Sequence, residues 1–237
     1  MLFSGCSGTE DCVKSSGDFI TKEVEVPQFN KIIVYNGIGL VITQGENYKV
    51  EIKTGSNLID DISVIVSDEM LILKDNTICN WARDYGKTTV YVTTPNLTEV
   101  YSKTEKTISS NGILKYPSLK FVSMNQFDNY EGTGTGDFVL DIDNENVVLE
   151  TNNISHFKLS GKAKTFFIGV YDGNGVVDAQ NLFANKINFY HRGTNKIILN
   201  PIALLKGEIY SLGNVISVAK PPMVEVVEHY KGKLIYQ

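Results

Sequence analysis

The chain reads as an all-β protein: a single-stranded right-handed parallel β-helix (a β-solenoid) with a less regular N-terminal β half. Three observations carry this reading. Residues 125 to 219 repeat themselves about every twenty: Asn153, Gly173, Gly193 and Gly213 fall one period apart, with Phe157/Val177/Ile197 and Leu159/Ala179/Leu199 behind them. A second apolar ladder runs Val147/Phe167/Ile187 and Leu149/Gly169/Phe189/Ile209, so each period holds two segments with the alternation of a strand buried on one face. Turn clusters such as Asp172-Gly173-Asn174-Gly175 separate the segments. A fixed period of this size marks coils that bury their inner faces only by stacking. The right-handed sense follows from the strong preference of parallel connections for that hand. Leucine-rich repeats share the period but need a Leu-x-x-Leu-x-Leu frame, which is absent.

Taken in order, residues 1–18 read as a leader remnant and a polar tether, 19–105 as the N-terminal β half, and 106–237 as regular coils with C-terminal capping strands. Ile20 to Val26 alternates polar and apolar residues and stops at Pro27; Phe29 to Tyr35 is a second strand, broken at Asn36-Gly37. Gly39 to Thr43, Tyr48 to Lys53, Ile62 to Val66 and Met70 to Leu73 follow, with turns at 44–47 and at Ser67-Asp68-Glu69. Thr77 to Lys87 reads as a loop, Thr88 to Val92 as a strand, and Leu119/Phe121 begin another. The register departs from twenty at both ends. Phe138/Leu140 precede Phe157/Leu159 by nineteen, and Ile216/Val218 sit one short of the expected positions. A slip of one residue turns side chains over, so each departure requires a bulge or a shortened turn. Lys220-Pro221-Pro222 ends the repeat, and Met223 to Tyr230 with Lys233 to Tyr236 form a closing pair of strands.

A net charge of -5 with scattered basic residues gives no footprint for nucleic acid. No apolar run approaches the ~20 residues of a membrane-spanning helix. The start, Ser4-Gly5-Cys6 followed by a polar stretch, is similar to the end of a bacterial lipoprotein signal peptide, with Cys6 as the lipidated residue and membrane attachment through it. With Cys6 so used, Cys12 and Cys79 remain as an even pair suited to a disulfide in an oxidising envelope compartment. Such a bridge would add about 4 kcal/mol in the chain-entropy view. No Cys-x-x-Cys occurs and His156, His191 and His229 are far apart, so no metal site is expected, nor any cofactor.

The run Phe29-x-x-Ile32-x-Val34 with Gly37-x-Gly39-Leu40-Val41-Ile42-Thr43-Gln44-Gly45, then Leu71-Ile72-Leu73 and Val90-Tyr91-Val92-Thr93-Thr94-Pro95-Asn96-Leu97, resembles the putative auto-transporter adhesin, head GIN domain family. The resemblance covers about residues 19 to 218. It implies a β-helical fold and an extracytoplasmic address in a bacterial envelope, and carries over no catalytic residues.

Gly132-Thr133-Gly134-Thr135-Gly136 is followed by a strand-like run, not a helix, and reads as a coil corner instead of a phosphate loop. Asp172-Gly173-Asn174-Gly175 lacks the later ligands of a calcium loop and reads as a turn. Asp141, Asp143 and Glu145, with Lys162 or Arg192, could imitate the acidic-plus-basic site of a β-helical polysaccharide enzyme, but tight coils offer no walls around a sugar chain. The more informative feature is a face. If Val147, Leu149, Phe167, Phe189 and Ile209 point inward, then Val148, Ile168, Val170, Tyr190 and Tyr210 point outward, an apolar stripe suited to a glycan or a protein unless another part of the chain covers it. The expected function is a non-enzymatic, lipid-tethered cell-envelope module, adhesin-like, binding a surface glycan or an envelope protein. The alternatives are a polysaccharide-active enzyme on the same scaffold and an accessory subunit of an envelope signalling complex.

Overall fold

The structure, a computed structural model, describes residues 16–77, 88–125 and 132–237. Every described element longer than one turn is a strand: β1 (Phe19–Val24), β2 (Lys31–Tyr35), β3 (Ile38–Gln44), β4 (Lys49–Gly55), β5 (Ile62–Ser67), β6 (Met70–Asp75), β7 (Thr88–Thr94), β8 (Glu99–Lys103), β9 (Ile108–Leu114), β10 (Ser118–Ser123), β11 (Phe138–Thr151), β12 (His156–Val170), β13 (Val176–His191), β14 (Ile197–Ile209), β15 (Val215–Ser217), β16 (Met223–Glu228) and β17 (Leu234–Tyr236). The four long strands β11 to β14 each serve two ladders, one with the first half and one with the second.

The first ladder runs β5, β6, β2, β8, β10, then the second halves of β11, β12, β13 and β14, then β16. The second runs β1, β4, β7, β3, β9, then the first halves of β11 to β14, then β15 and β17. Pairing is parallel throughout except at the N-terminal pole, where β5–β6, β1–β4 and β4–β7 are antiparallel. There the chain doubles back through a two-residue turn with Asp68 and Glu69 at φ 50° and 60°, as a tight β5–β6 hairpin requires. Both ladders pass through residue 105 without a break, because β8 pairs β10 and β3 pairs β9.

Alternate residues of both ladders meet in one apolar core: Ile32 and Val34 from the first, Ile38, Leu40 and Ile42 from the second, and so on up the stack. Phe138 and Phe157 stack at 4.6 Å inside it, with Phe121 edge-on at 6.0 Å. A polar corner adjoins this core. Asn153 is buried and its amide donates to Ser123 Oγ at 3.0 Å and to the Gly134 carbonyl, while its Oδ1 accepts from the Ser155 amide at 3.1 Å. Gly134, read from sequence as part of a coil corner, supplies that carbonyl. Asn153→Ala strands several of these partners in the interior and is expected to cost about 2 kcal/mol, measurable by urea denaturation.

Two corrections to the sequence reading follow from the register. The step from Val147 is nineteen residues, to Phe166, and not twenty, to Phe167. The inward columns are therefore Val147/Phe166/Ile187/Leu205, Leu149/Ile168/Phe189/Gly207 and Thr151/Val170/His191/Ile209. Ile168 and Val170, expected on the outer face, are fully buried, and Phe167 is turned outward. Near the other end Val215 and Ser217, not Ile216 and Val218, pair with Ile197 and Leu199. The closing strands β16 and β17 add one more parallel layer, leaving the inward-side residues Val224 and Tyr236 39% and 41% exposed.

Candidate binding face and corner groove

The outer side of the first ladder carries a column Ile72, Ile33, Tyr101, Val122, Glu150, Gly169, Tyr190, Glu208, Val227. Its first members pack into a small second cluster of Ile33, Met70, Tyr101 and Val122. Further up, where Gly169 leaves room, the Tyr171 ring folds over the glycine: a Cβ there would lie 2.7 Å from the ring. Tyr171 so reaches Tyr190 at 5.7 Å, Tyr190 meets Tyr210 at 4.9 Å, and Tyr210 stacks on His229 at 4.2 Å with ring planes 5° apart. Four rings on four successive coils make one continuous row, because parallel strands repeat at about 4.8 Å.

Carboxylates flank both ends of the row. The Tyr171 hydroxyl donates to Glu150 at 2.7 Å, and Glu150 also pairs with Lys120 at 2.6 Å. Burial and then the Glu150 hydrogen bond push the Tyr171 phenol up to about 12. At the other end Glu208 accepts from the Tyr210 hydroxyl and lies 2.9 Å from His229 Nε2. Those two contacts, the tyrosine first, hold the Glu208 carboxyl below its usual range. Of the five residues expected to form the outer stripe, Tyr190 and Val148 are half-buried on the outer side and Tyr210 is exposed, while Ile168 and Val170 lie in the core. Tyr171 and His229 join the row and were missed from sequence, since both lie just beyond the ends of strands. The lost signal was the spacing Tyr171, Tyr190, Tyr210, His229, which advances by nineteen or twenty residues.

The acidic cluster lies elsewhere, at the corner in the middle of the long strands. Asp141, Asp143 and Glu145 all point outward from β11. Asp141 accepts from the Ser160 hydroxyl, Asp143 stands opposite Lys162, and Glu145 pairs with Lys164 at 2.9 Å. Arg192 is not part of this group. Phe183 is the β13 residue level with Asp143 and Lys162, and Arg192 follows the far end of β13, nine positions on. The corner is a groove of about 690 Å³ lined by Lys115, Asp143, Asn144, Lys162, Phe183 and Ile202 among others. Among the described residues no cluster of His, Cys, Asp or Glu could hold a metal ion, and no helix is long and apolar enough to cross a membrane. Cys6, Cys12 and Cys79 lie outside the described residues.

Several solved structures share this fold. A putative adhesin from Bacteroides fragilis NCTC 9343 superposes with a TM-score of 0.81 at 20% identity, covering 93% of this chain and 97% of its own. A putative adhesin from Parabacteroides merdae ATCC 43184 gives 0.62 at 20% identity, covering 95% and 98%. A putative lipid binding protein from Parabacteroides distasonis ATCC 8503 gives 0.66 at 13% identity, covering 93% and 98%. Among curated proteins none matches the chain in sequence. At these identities the structures speak to the fold. The sequence itself matches a family description over residues 28–221, from just before β2 to the prolines that end the repeat: the chain belongs to the putative auto-transporter adhesin, head GIN domain family.

Proposed function

We propose that the protein is a non-enzymatic binding module of the bacterial cell envelope, tethered through a lipid on Cys6, that docks another envelope protein against the outer face of the first ladder. The observation that carries this is the continuous row Tyr171, Tyr190, Tyr210, His229. The rings lean on one another along the row, tilted in the first two pairs and stacked in the last, so the row offers mainly edges, hydroxyls and flanking carboxylates. That surface matches a protein better than the flat face of a sugar. Membership of an adhesin family supports a surface address. The poles support the tether: β1, next to the N-terminal segment, lies at one end of the stack, and β16 and β17 lie at the other.

The scaffold reading that goes with this function is a right-handed single-stranded parallel β-helix, supported by parallel ladders that advance by about one coil per strand; an experimental structure with left-handed winding would overturn it. A Cys12–Cys79 bridge would staple the tether to the body, and two free thiols in envelope-isolated protein would exclude it. Cross-linking and pull-down from envelope extract, with Tyr190→Ala/Tyr210→Ala beside the wild type, test the docking role. A specific partner captured by the wild type and lost in the double variant is expected; a partner retained by the variant excludes the row. Cleavage of polysaccharide by the wild type, lost on Asp143→Ala, would instead establish the enzyme reading.

A further inference from the structure

We propose that the corner groove is a second binding site, for a neutral oligosaccharide lying along the stack axis. The proposal does not rest on the aromatic row. The groove is built by the register. Asn144 and Ala163 lie at its floor, part of a buried row of small side chains that continues into Ala184, because these residues pair in sequence across β11, β12 and β13 and face inward. Their chain neighbours project on either side, Asp143, Lys162 and Phe183 along one wall and Glu145 and Lys164 along the other, and Ile202, next to Pro201 on β14, also lines the groove. Such a channel advances by about 4.8 Å per coil.

The chemistry of the walls changes along its length. At the β11 and β12 levels each wall sets a carboxylate beside an ammonium, Asp143 with Lys162 and Glu145 with Lys164. With Lys115 the groove holds three lysines against two carboxylates, so the charges nearly cancel and no strong field selects an ion. What remains is a close alternation of acceptors and donors, the complement of vicinal hydroxyls that both donate and accept. At the β13 and β14 levels the walls become apolar: Phe183 and Ile202 are each 53% exposed. No ring stacks on Phe183 among the described residues, so its face is free for the C–H face of a sugar ring, in contrast to the row on the first ladder.

The floor of the same groove also carries an unsatisfied polar atom. Asn144 is 94% buried, being 6% exposed, and lines the groove, yet its Oδ1 has no hydrogen-bond partner among the described residues. The amide orientation is set by its nitrogen, which donates to the Leu114 carbonyl at 3.2 Å and to that of Tyr116. Buried acceptors are rarely left without a donor.

The test uses cellohexaose, chitohexaose and maltohexaose as probes, titrated into the protein and followed by amide NMR shifts. At least one is expected to bind saturably with shifts centred on 143–145, 162–164 and 183. Phe183→Ala, a change at an exposed position, is expected to weaken that binding about tenfold, while Tyr190→Ala/Tyr210→Ala leaves it unchanged. No saturable shift at the groove with any of the three probes overturns the proposal, as does binding that Phe183→Ala does not weaken. Occupation of the groove by detergent micelles or an amphipathic peptide in preference to all three probes overturns the ligand class. Loss of binding in the tyrosine variant alone would place the sugar on the aromatic row and exclude the groove.

Discussion

Lowering the pH from 6.5 to 4 is expected to weaken the fold by about 3 kcal/mol through one buried side chain, His191. His191 occupies an inward column between Val170 and Ile209 and is 0% exposed. Neither ring nitrogen has a hydrogen-bond partner among the described residues. The Asn195 backbone lies close enough to favour the charged form slightly, but its geometry falls short of a hydrogen bond and burial dominates, bringing the imidazole down to about 4. The sign is then determined. Above pH 6.5 the ring is neutral in both folded and unfolded chains and contributes no pH dependence. Between 6.5 and 4 the unfolded chain takes up a proton that the folded chain refuses, so stability falls with pH; below 4 the loss is complete.

Carboxylates held below their usual range, such as Glu105, Glu208 and Glu228, also release stability in acid, so the wild-type curve alone does not isolate the histidine. The discriminating measurement is the difference between wild type and His191→Leu, a change of similar volume, by urea denaturation at pH 7, 5.5 and 4. The variant is expected to gain on the wild type by about 3 kcal/mol across that range. A difference that stays constant with pH would mean that the folded protein protonates His191 as easily as the unfolded chain does.

The second ladder's apolar columns were legible in the sequence because their period is close to twenty: Phe157/Val177/Ile197 is the observed pairing. The glycine column was legible for a physical reason as well. A Cβ at Gly173 would lie 2.6 Å from the Asn153 carbonyl, at Gly213 2.8 Å from that of Gly193, and at Gly232 2.3 Å from that of Gly213, so successive turns stack backbone on backbone. What could not be read was any step that departs from twenty between marked turns. The nineteen-residue step from Val147 to Phe166 inverted the second half of β12 in the expectation, and with it Ile168 and Val170. Phe166-Phe167-Ile168 offers apolar residues in either register, so alternation alone has no means of choosing. The order of the first coils was also hidden. β2 and β3 lie between β6/β7 and β8/β9, a non-sequential stacking that no local pattern records. The groove was half legible: its acids and Lys162 were singled out, but Phe183 and the orphaned Asn144 oxygen gain meaning only from the register that places them together.

Gly161→Ala is expected to cost about 3 kcal/mol or more, although it adds one methyl group. Gly161 lies where β12 shifts against β13: Lys158 pairs with Asp178, a step of twenty, but Ser160 pairs with Asn181, a step of twenty-one. The extra residue lies in β13, between Asp178 and Asn181, and just past the shift Gly161 on β12 has the unusual backbone at φ +107°. A Cβ there would lie 2.1 Å from the carbonyl oxygen of Ile142, the residue paired with it on β11. That oxygen belongs to a ladder held from both sides and has no rotamer by which to withdraw. Gly112 provides the control. It too has positive φ, +85°, but nothing lies within 4 Å of its Cβ position, so Gly112→Ala carries the backbone strain alone, about 1–2 kcal/mol. Urea midpoints of the two variants separate strain from overlap. A larger loss at Gly161 would mean that the pairing of β12 with β11 depends on their close approach at this glycine. Equal losses would mean that β11 shifts to admit the methyl, and that the long strands of this stack are more compliant than their uninterrupted pairing implies.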